Sequence, residues 1–408
     1  MTTGIAPATL RADADALLPS MVDVRRRLHR IPEIGLHLPK TQAIVADEVR
    51  GLGLEPVLGR STTSVTAVIE GTGTAGTGDA TIVLRGDMDG LPLTEDTGLD
   101  FSSEHPGAMH ACGHDTHVAM LLGGARLLLD RRDRFAGRVV LMFQPGEEGY
   151  HGARFMLEDG LLDGIEGTPG AAAFAIHIST KYPTGTLNVR HGPMLAAADR
   201  LLITVRGRGG HASEPSLAVD PIAIAAELIL ALQLMVTRTV NALDPAVITI
   251  ARVTAGTTNN IIPPTAELEG TLRTLSEEIR ADVKERIRQV AAGIGAAHGA
   301  DIDVLIDPGY PVTVNDEGFT DLVRGVARDL AGPDAVHEMG TPIMGAEDFA
   351  YVLQRVPGAM IFLGARPAGL ALEVAPMNHS NLVIFDEAPM ALGAATYAAV
   401  ALEHLAPR

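Results

Sequence analysis

Hydrophobic and polar positions along the chain switch between a helical and a strand-like period. Over 113–131 apolar residues recur at helical spacing, with Val118, Leu121, Leu122, Ala125, Leu128 and Leu129 on one face. The stretch 17–30 is amphipathic and basic until Pro32 stops it, and 40–51 reads as a helix closed by Gly51. Short strands are expected at 65–70 and 81–85, separated by a Gly/Thr turn at 71–78. The runs 139–143 and 172–178 are apolar without alternation, the pattern of strands covered on both faces. Strands alternating with helices predict an α/β sheet covered by helices.

From residue 199 the order changes. A strand at 201–205 precedes a long helix at 220–240 with Pro221 in its first turn. Strands at 247–253 and 266–274, a helix at 277–298 and a strand at 301–306 follow. This β-α-β-β-α-β order is the ferredoxin-like split. Helix and strand then alternate again at 318–330 and 360–363. The expected fold class is therefore α/β: a larger domain with a helix-covered mixed sheet (1–196 and 309–408) and an inserted ferredoxin-like α+β domain (197–308).

Length and composition narrow the function. A chain of 408 residues is too long for one ordinary core. Hydrophobic residues at 46% and charged residues at 20% describe a soluble globular protein. A net charge of −18 argues against nucleic acid or an anionic membrane as partner. Aromatic residues at 3%, with no Trp, disfavour stacking platforms for bases or sugars. The single cysteine excludes an internal disulfide framework and fits a reducing compartment. The first 18 residues lack a leader's apolar core, and no membrane-spanning segment is expected. A cytoplasmic setting follows.

The candidate chemistry gathers around that cysteine. Met109-His110-Ala111-Cys112-Gly113-His114-Asp115 sets a thiol among imidazoles and a carboxylate at the start of a helix, whose N-terminus favours a thiolate. Gln144-Pro145-Gly146-Glu147-Glu148-Gly149 places adjacent carboxylates in a turn after a buried strand. One of the two can bind a metal while the other stays free as a base. His177 ends another apolar run, and Met377-Asn378-His379-Ser380 adds a histidine. Asp87 and Asp89 follow a strand, so polar groups repeatedly fall beyond strand ends, where ligands of open α/β sheets collect. The donors outnumber one tetrahedral site and suggest two divalent ions. A cysteine nucleophile is the competing reading, but it leaves the Glu pair and the remaining histidines without a task.

Several stretches together resemble the M20 metallopeptidase family, specifically its amidohydrolase branch of N-acyl-amino-acid, hippurate and auxin-conjugate hydrolases. They are Arg27-Leu28-His29…Pro32-Glu33, Arg85-Gly86-Asp87-Met88-Asp89-Gly90-Leu91-Pro92, Met109 to Asp115, Gln144 to Gly149, Gly207-Arg208-Gly209-Gly210-His211, Gly345-Ala346-Glu347-Asp348-Phe349 and Asn378-His379. The resemblance implies Cys112, His114, Glu148, His177 and His379 as metal ligands, Glu147 as general acid/base and Asp89 as a supporting carboxylate that fixes an imidazole. It also implies that the inserted domain is a lid that forms a homodimer. His211 would then reach the partner's active site and polarise the scissile carbonyl, with Asn259 and Arg273 as candidates for holding a substrate carboxylate.

The implied activity is hydrolysis of the amide of a small N-acyl amino acid or peptide, using two divalent ions (zinc, manganese, cobalt or nickel) per subunit. A carboxypeptidase or dipeptidase of the same family is the alternative, and a metal- or amino-acid-binding protein without turnover is a third reading. The chain departs from the family pattern at Ser213-Glu214-Pro215-Ser216, at Ser179-Thr180-Lys181-Tyr182-Pro183 and at Tyr150-His151. These departures bear on specificity rather than on the chemistry.

Overall fold

A computed structural model describes residues 6–74, 78 and 80–406 of the chain. The first five residues and residues 75–77 of the expected Gly/Thr turn lie outside the described residues. The chain divides into two compact units. One comprises Met1–Gly192, Val314–Thr341 and Tyr351–Arg408; the other comprises Pro193–Thr313 and Pro342–Ala350.

The larger unit is built on an eight-stranded mixed sheet. Its order is Val57–Leu58, Val65–Glu70, Arg138–Gln144, Thr81–Asp87, Ala171–Pro183, Gly358–Arg366, Leu187–Val189 and Val336–Glu338. The four strands from Arg138–Gln144 to Gly358–Arg366 run parallel to one another, while Val65–Glu70 and Leu187–Val189 pair antiparallel on either side of them. Thr81–Asp87 is buried at every position, although its apolar run is only Ile82–Leu84; the buried Arg85 and Asp87 pair with each other at 2.6 Å. Helices Pro7–His29, His114–Leu129, Glu317–Ala331 and Met390–His404 pack together in this unit. The first of them starts ten residues before the expected 17–30 segment and runs through Pro19. The last lies almost wholly in the core and has no polar face that a helical period could reveal.

The smaller unit has a four-stranded antiparallel sheet in the order Ala246–Ala255, Thr265–Thr274, Ala197–Arg206, Asp301–Pro308. Helices Pro221–Thr239 and Glu277–His298 cover it around a core that includes Leu201, Ile203, Leu228, Leu268 and Ile287. Its limits differ from 197–308, because 342–350 belongs to it as well. The amide of Ala196 donates to the carbonyls of Ile343 and Gly345, and that of Ile343 donates to Met194. By length and composition alone, helix Pro221–Thr239, with a window of mean hydropathy 1.6, is long and apolar enough to cross a membrane, a test that the core helix of a soluble protein also passes. Ile224, Leu228, Leu232 and Met235 join its unit's core, while Leu230 and Leu234 are exposed.

Candidate metal centre

Asp87 and the glutamate pair sit where parallel strands stop, whereas His177 lies within strand Ala171–Pro183. Asp87 ends its strand opposite Gln144, and Glu147 and Glu148 follow Gln144 by three and four residues. His177 pairs with Phe362 on the next parallel strand. Cys112 and His114 flank Gly113, which caps helix His114–Leu129 with φ +88°. A Cβ there would also lie 2.4 Å from the Ile178 side chain, so both backbone and space demand glycine. His379 holds φ +71°, a left-handed conformation rare outside glycine, and its amide donates to Ala111 O at 2.9 Å. The Asn378 amide group donates to Cys112 O (3.2 Å) and Ile178 O (3.0 Å), tying together three segments that carry candidate ligands.

Five side chains converge. Cys112 Sγ lies 3.4 Å from His177 Nε2 and 3.3 Å from His379 Nε2. His379 Nε2 is 3.1 Å from Glu148 Oε1, and His114 Nε2 is 4.0 Å from the same oxygen and 3.9 Å from Glu147 Oε2. Ligand-type atoms of Cys112, His114 and His177 lie within 4.8 Å of one another, as do those of Cys112, Glu148 and His379 and of His114, Glu147 and Glu148. Cys112 belongs to two of these sets and Glu148 to two, an arrangement suited to neighbouring ions that share ligands.

Surrounding hydrogen bonds sort ligands from supports. The Ile178 amide donates to His117 Nε2 at 2.8 Å, so that nitrogen carries no proton and Nδ1–H donates to Asp87 Oδ1 at 2.6 Å. Both nitrogens of His117 are thus committed to protein, which removes it as a ligand despite its place beside His114. His177 uses the opposite face: Nδ1–H donates to Ile178 O at 2.7 Å and leaves the Nε2 lone pair toward Cys112. Asp89 accepts the backbone amides of Glu147 (3.1 Å) and Glu148 (3.0 Å), with His114 Nδ1 at 3.3 Å. Its well-formed hydrogen bonds therefore hold the glutamate turn, and its contact with the imidazole is the longer one.

The electrostatics fit a cation. His114 is fully buried, yet neither ring nitrogen has an aligned hydrogen-bond partner. Such a group is costly unless something binds it. Burial opposes a charged His114, but Asp87 and Asp89 hold its pKa well above the ordinary range. His177 is pushed well below its ordinary value by burial and by His117, which keeps its imidazole neutral with the Nε2 lone pair unprotonated. His379 is raised to about 10 by its hydrogen bonds with Cys112 and Glu148. Burial and then Glu148 push the Cys112 thiol up, which overturns the expectation of a thiolate favoured by the helix N-terminus. His114 and His379 counter only part of that effect, so a bound cation, not the helix, is what would draw off the proton. A raised thiol pKa also weakens the nucleophile reading.

The remaining candidates lie in the smaller unit. His211 is exposed on the short strand Gly210–His211, paired with Ile261. Its Nδ1 accepts from the Ser213 amide at 3.1 Å, so a neutral ring carries its proton on Nε2. Asn259 is exposed two residues before Ile261, at the same end of the unit's sheet, where Arg206 pairs with Thr265. Arg273 sits at the opposite end, where Ala197 pairs with Thr274, and donates to Met344 O at 3.5 Å. Eight residues of strand, roughly 25 Å, separate the two ends. One chain's smaller unit does not bring Arg273 together with His211 and Asn259.

Comparison with known proteins decides the family. The model of peptidase family M20/M25/M40 matches residues 83–403. The chain belongs to peptidase family M20. This M20 chain is 38% identical over 398 residues to thermostable carboxypeptidase 1 of Saccharolobus solfataricus, covering 97% of this chain and 98% of that protein. It is also 38% identical over 374 residues to N-acetyl-L-cysteine deacetylase of Bacillus subtilis, covering 89% and 86%. The crystal structure of a dinuclear metal-binding M20 peptidase from Bacillus subtilis superposes with a TM-score of 0.81 at 33% identity, covering 96% and 99%. The protein is thus a metal-dependent hydrolase, and the clustered donors above support two divalent ions.

Sequence reading left three participants of this M20 centre without a role. His117 was visible beside Cys112, but nothing in the spacing said that Ile178 and Asp87 would occupy its ring. Asp87 itself is held well below the carboxylate range: burial opposes its charge, but Arg85, His114 and His117 outweigh it. Asn378 had only its place beside His379 as a signal.

Proposed function

We propose that the chain hydrolyses the amide bond of small N-acyl amino acids to a carboxylate and a free amino acid. The observation that carries this reading is the glutamate turn. Asp89 accepts the amides of both residues, and both carboxylates cluster with His114, Glu147 only 6% exposed, which supports Glu148 as a ligand and Glu147 as the base. Cys112, His114, Glu148, His177 and His379 would hold two ions of zinc, manganese, cobalt or nickel. When bound, the ions supply a lowered water pKa and polarisation of the substrate carbonyl.

Glu147 takes the proton from the attacking water and returns it to the leaving nitrogen. A binding protein would need ligands but no such base. His211, whose Nε2–H is its remaining donor, stabilises the developing oxyanion. By the family resemblance, this reading assigns His211 to the active site of the partner in a homodimer, with Asn259 and Arg273 as candidates for holding the substrate carboxylate. A cytoplasmic setting completes the proposal.

The carboxypeptidase reading is the alternative, favoured by the 38% identity to the carboxypeptidase, which equals that to the deacetylase. The test is a panel of N-acetyl amino acids and blocked dipeptides assayed with each metal restored. Preference for N-acetyl substrates is expected; faster cleavage of peptides would select the alternative.

A further inference from the structure

A buried charge cluster touches none of the five candidate ligands, yet it joins two segments that carry them. Arg25, near the end of helix Pro7–His29, is 1% exposed. Its Nε donates to Asp115 Oδ2 at 2.8 Å and its Nη1 to Glu387 Oε1 at 2.8 Å. Arg26 donates to Glu387 through Nε (3.0 Å) and Nη2 (2.7 Å). His29 Nδ1 lies 2.8 Å from Asp115 Oδ2, and its Nε2 lies 3.3 Å from Glu95. The Phe101 ring closes the cluster, its centroid 4.7 Å from Arg25 Cζ and 4.5 Å from Arg26 Cζ. Asp115 directly follows His114, and Glu387 comes eight residues after His379.

We propose that Arg25 and His29 are positioning residues of the metal centre, which hold the Cys112–His114 turn and the His379 segment at the separation that shared ions require. The proposal rests on the ligand assignment above. Two physical arguments support it. A buried carboxylate such as Asp115 must be paired, and unpaired it would be a mobile anionic donor beside His114, free to compete for an ion. Arg25 and His29 both engage its Oδ2. The second argument is the shape of guanidinium. A rigid fork that gives one N–H to Asp115 and another to Glu387 fixes the spacing between those carboxylates, which an ammonium on a flexible stem does not. His29 likewise faces a carboxylate with each nitrogen, so a doubly protonated ring satisfies both. Burial opposes that charge, and Asp115 and Glu95 more than offset it.

The test strips the protein of metal and titrates it with Co²⁺, reading affinity and the cysteine-to-cobalt absorption band. Arg25→Lys keeps the charge and loses the fork, and His29→Gln keeps one donor and loses the other. Each should weaken cobalt binding about 10- to 100-fold, the usual effect of losing a ligand's support, and shift the band. Arg280→Lys is the control. It disturbs a comparable buried fork on Asp199 in the other unit and should lower the melting temperature without altering affinity or band. Wild-type affinity and spectrum in Arg25→Lys and His29→Gln would overturn the proposal. If Arg25→Lys fails to fold, His29→Gln decides alone. Loss of the band in Cys112→Ser keeps the ligand assignment separate from this outcome; its survival there would sink the assignment itself.

Discussion

In the smaller unit the buried carboxylate Asp199 accepts from Arg280 at 2.7 and 2.9 Å and from Lys284 at 2.8 Å, so its charge is met by protein alone. In the larger unit buried His114 stands among Asp87, Asp89, Cys112 and the glutamates with neither ring nitrogen aligned to a hydrogen-bond partner. The contrast is general. Among the described residues, the buried side-chain atoms without such a partner include both ring nitrogens of His114 in the larger unit, together with atoms of Thr41, Thr81 and His110, but only Thr274 Oγ1 in the smaller. Buried charge completed by protein is architecture. Buried donors left open at strand ends mark where something else must bind.

The largest effect expected from this contrast falls on turnover. Glu147→Gln should lower kcat by about 10²–10⁴-fold or more while metal content stays at the wild-type level, since the amide cannot accept the proton. Steady-state kinetics alongside elemental analysis checks both halves, and near-normal turnover would move the base elsewhere, with Glu148 the first suspect. His211→Ala should also lose turnover with metal intact. Mixing it with Glu147→Gln should restore activity, because some heterodimers then hold one complete site. If subunits exchange and activity does not return, His211 does not act across chains.

Asp199→Ala sharpens the other side of the comparison. Breaking a buried pair and leaving Arg280 unmatched should destabilise the protein by about 3–5 kcal/mol in denaturant unfolding, with metal stoichiometry of the folded protein unchanged. Metal loss that tracked this substitution would mean that the two kinds of buried charge are not separable.

A smaller effect is expected from pH. Burial opposes the Glu95 carboxylate, but hydrogen bonds from His29, Thr97 and Ser103 bring its pKa down from 4.5 to about 2. A depressed carboxylate stabilises the fold above 4.5 and loses that contribution as pH falls through about 2. His29 is raised above 6.5, so its contribution is complete below 6.5 and fades as pH climbs through the raised value. Melting temperatures of Glu95→Gln and wild type should therefore differ most between 4.5 and 6.5 and converge as pH falls toward 2. A constant gap across that acid range would contradict the linkage. At the bottom of the scale, Asp282→Asn should leave the melting temperature unchanged, because its pair with Arg286 is exposed and screened.

What could be read beforehand follows the same divide. The parallel strands announced themselves because burial on both faces leaves an unbroken apolar run, and the donors at their ends then fell into place. Helix Met390–His404 did not, since a helix buried all round shows no amphipathic period. Arg25 fell in a stretch read only as amphipathic and basic, and His29 in a matching stretch given no role, yet both lie with Met21, Val24 and Leu28 on the buried side. Their partners Asp115 and Glu387 come from 86 to 362 residues away, beyond any local pattern. For the same reason the helix N-terminus misled about Cys112: local charge favoured a thiolate, while burial and distant Glu148 push the thiol up.

The most direct test of the account is a count of tightly bound metal per chain in wild type, Cys112→Ser and His379→Ala after dialysis against a weak chelator. Cys112 joins two of the candidate ligand sets and His379 one. The account predicts two ions per chain in the wild type, at most one in His379→Ala, and depletion of both in Cys112→Ser, with the fold retained throughout. Two ions retained in both variants would contradict it.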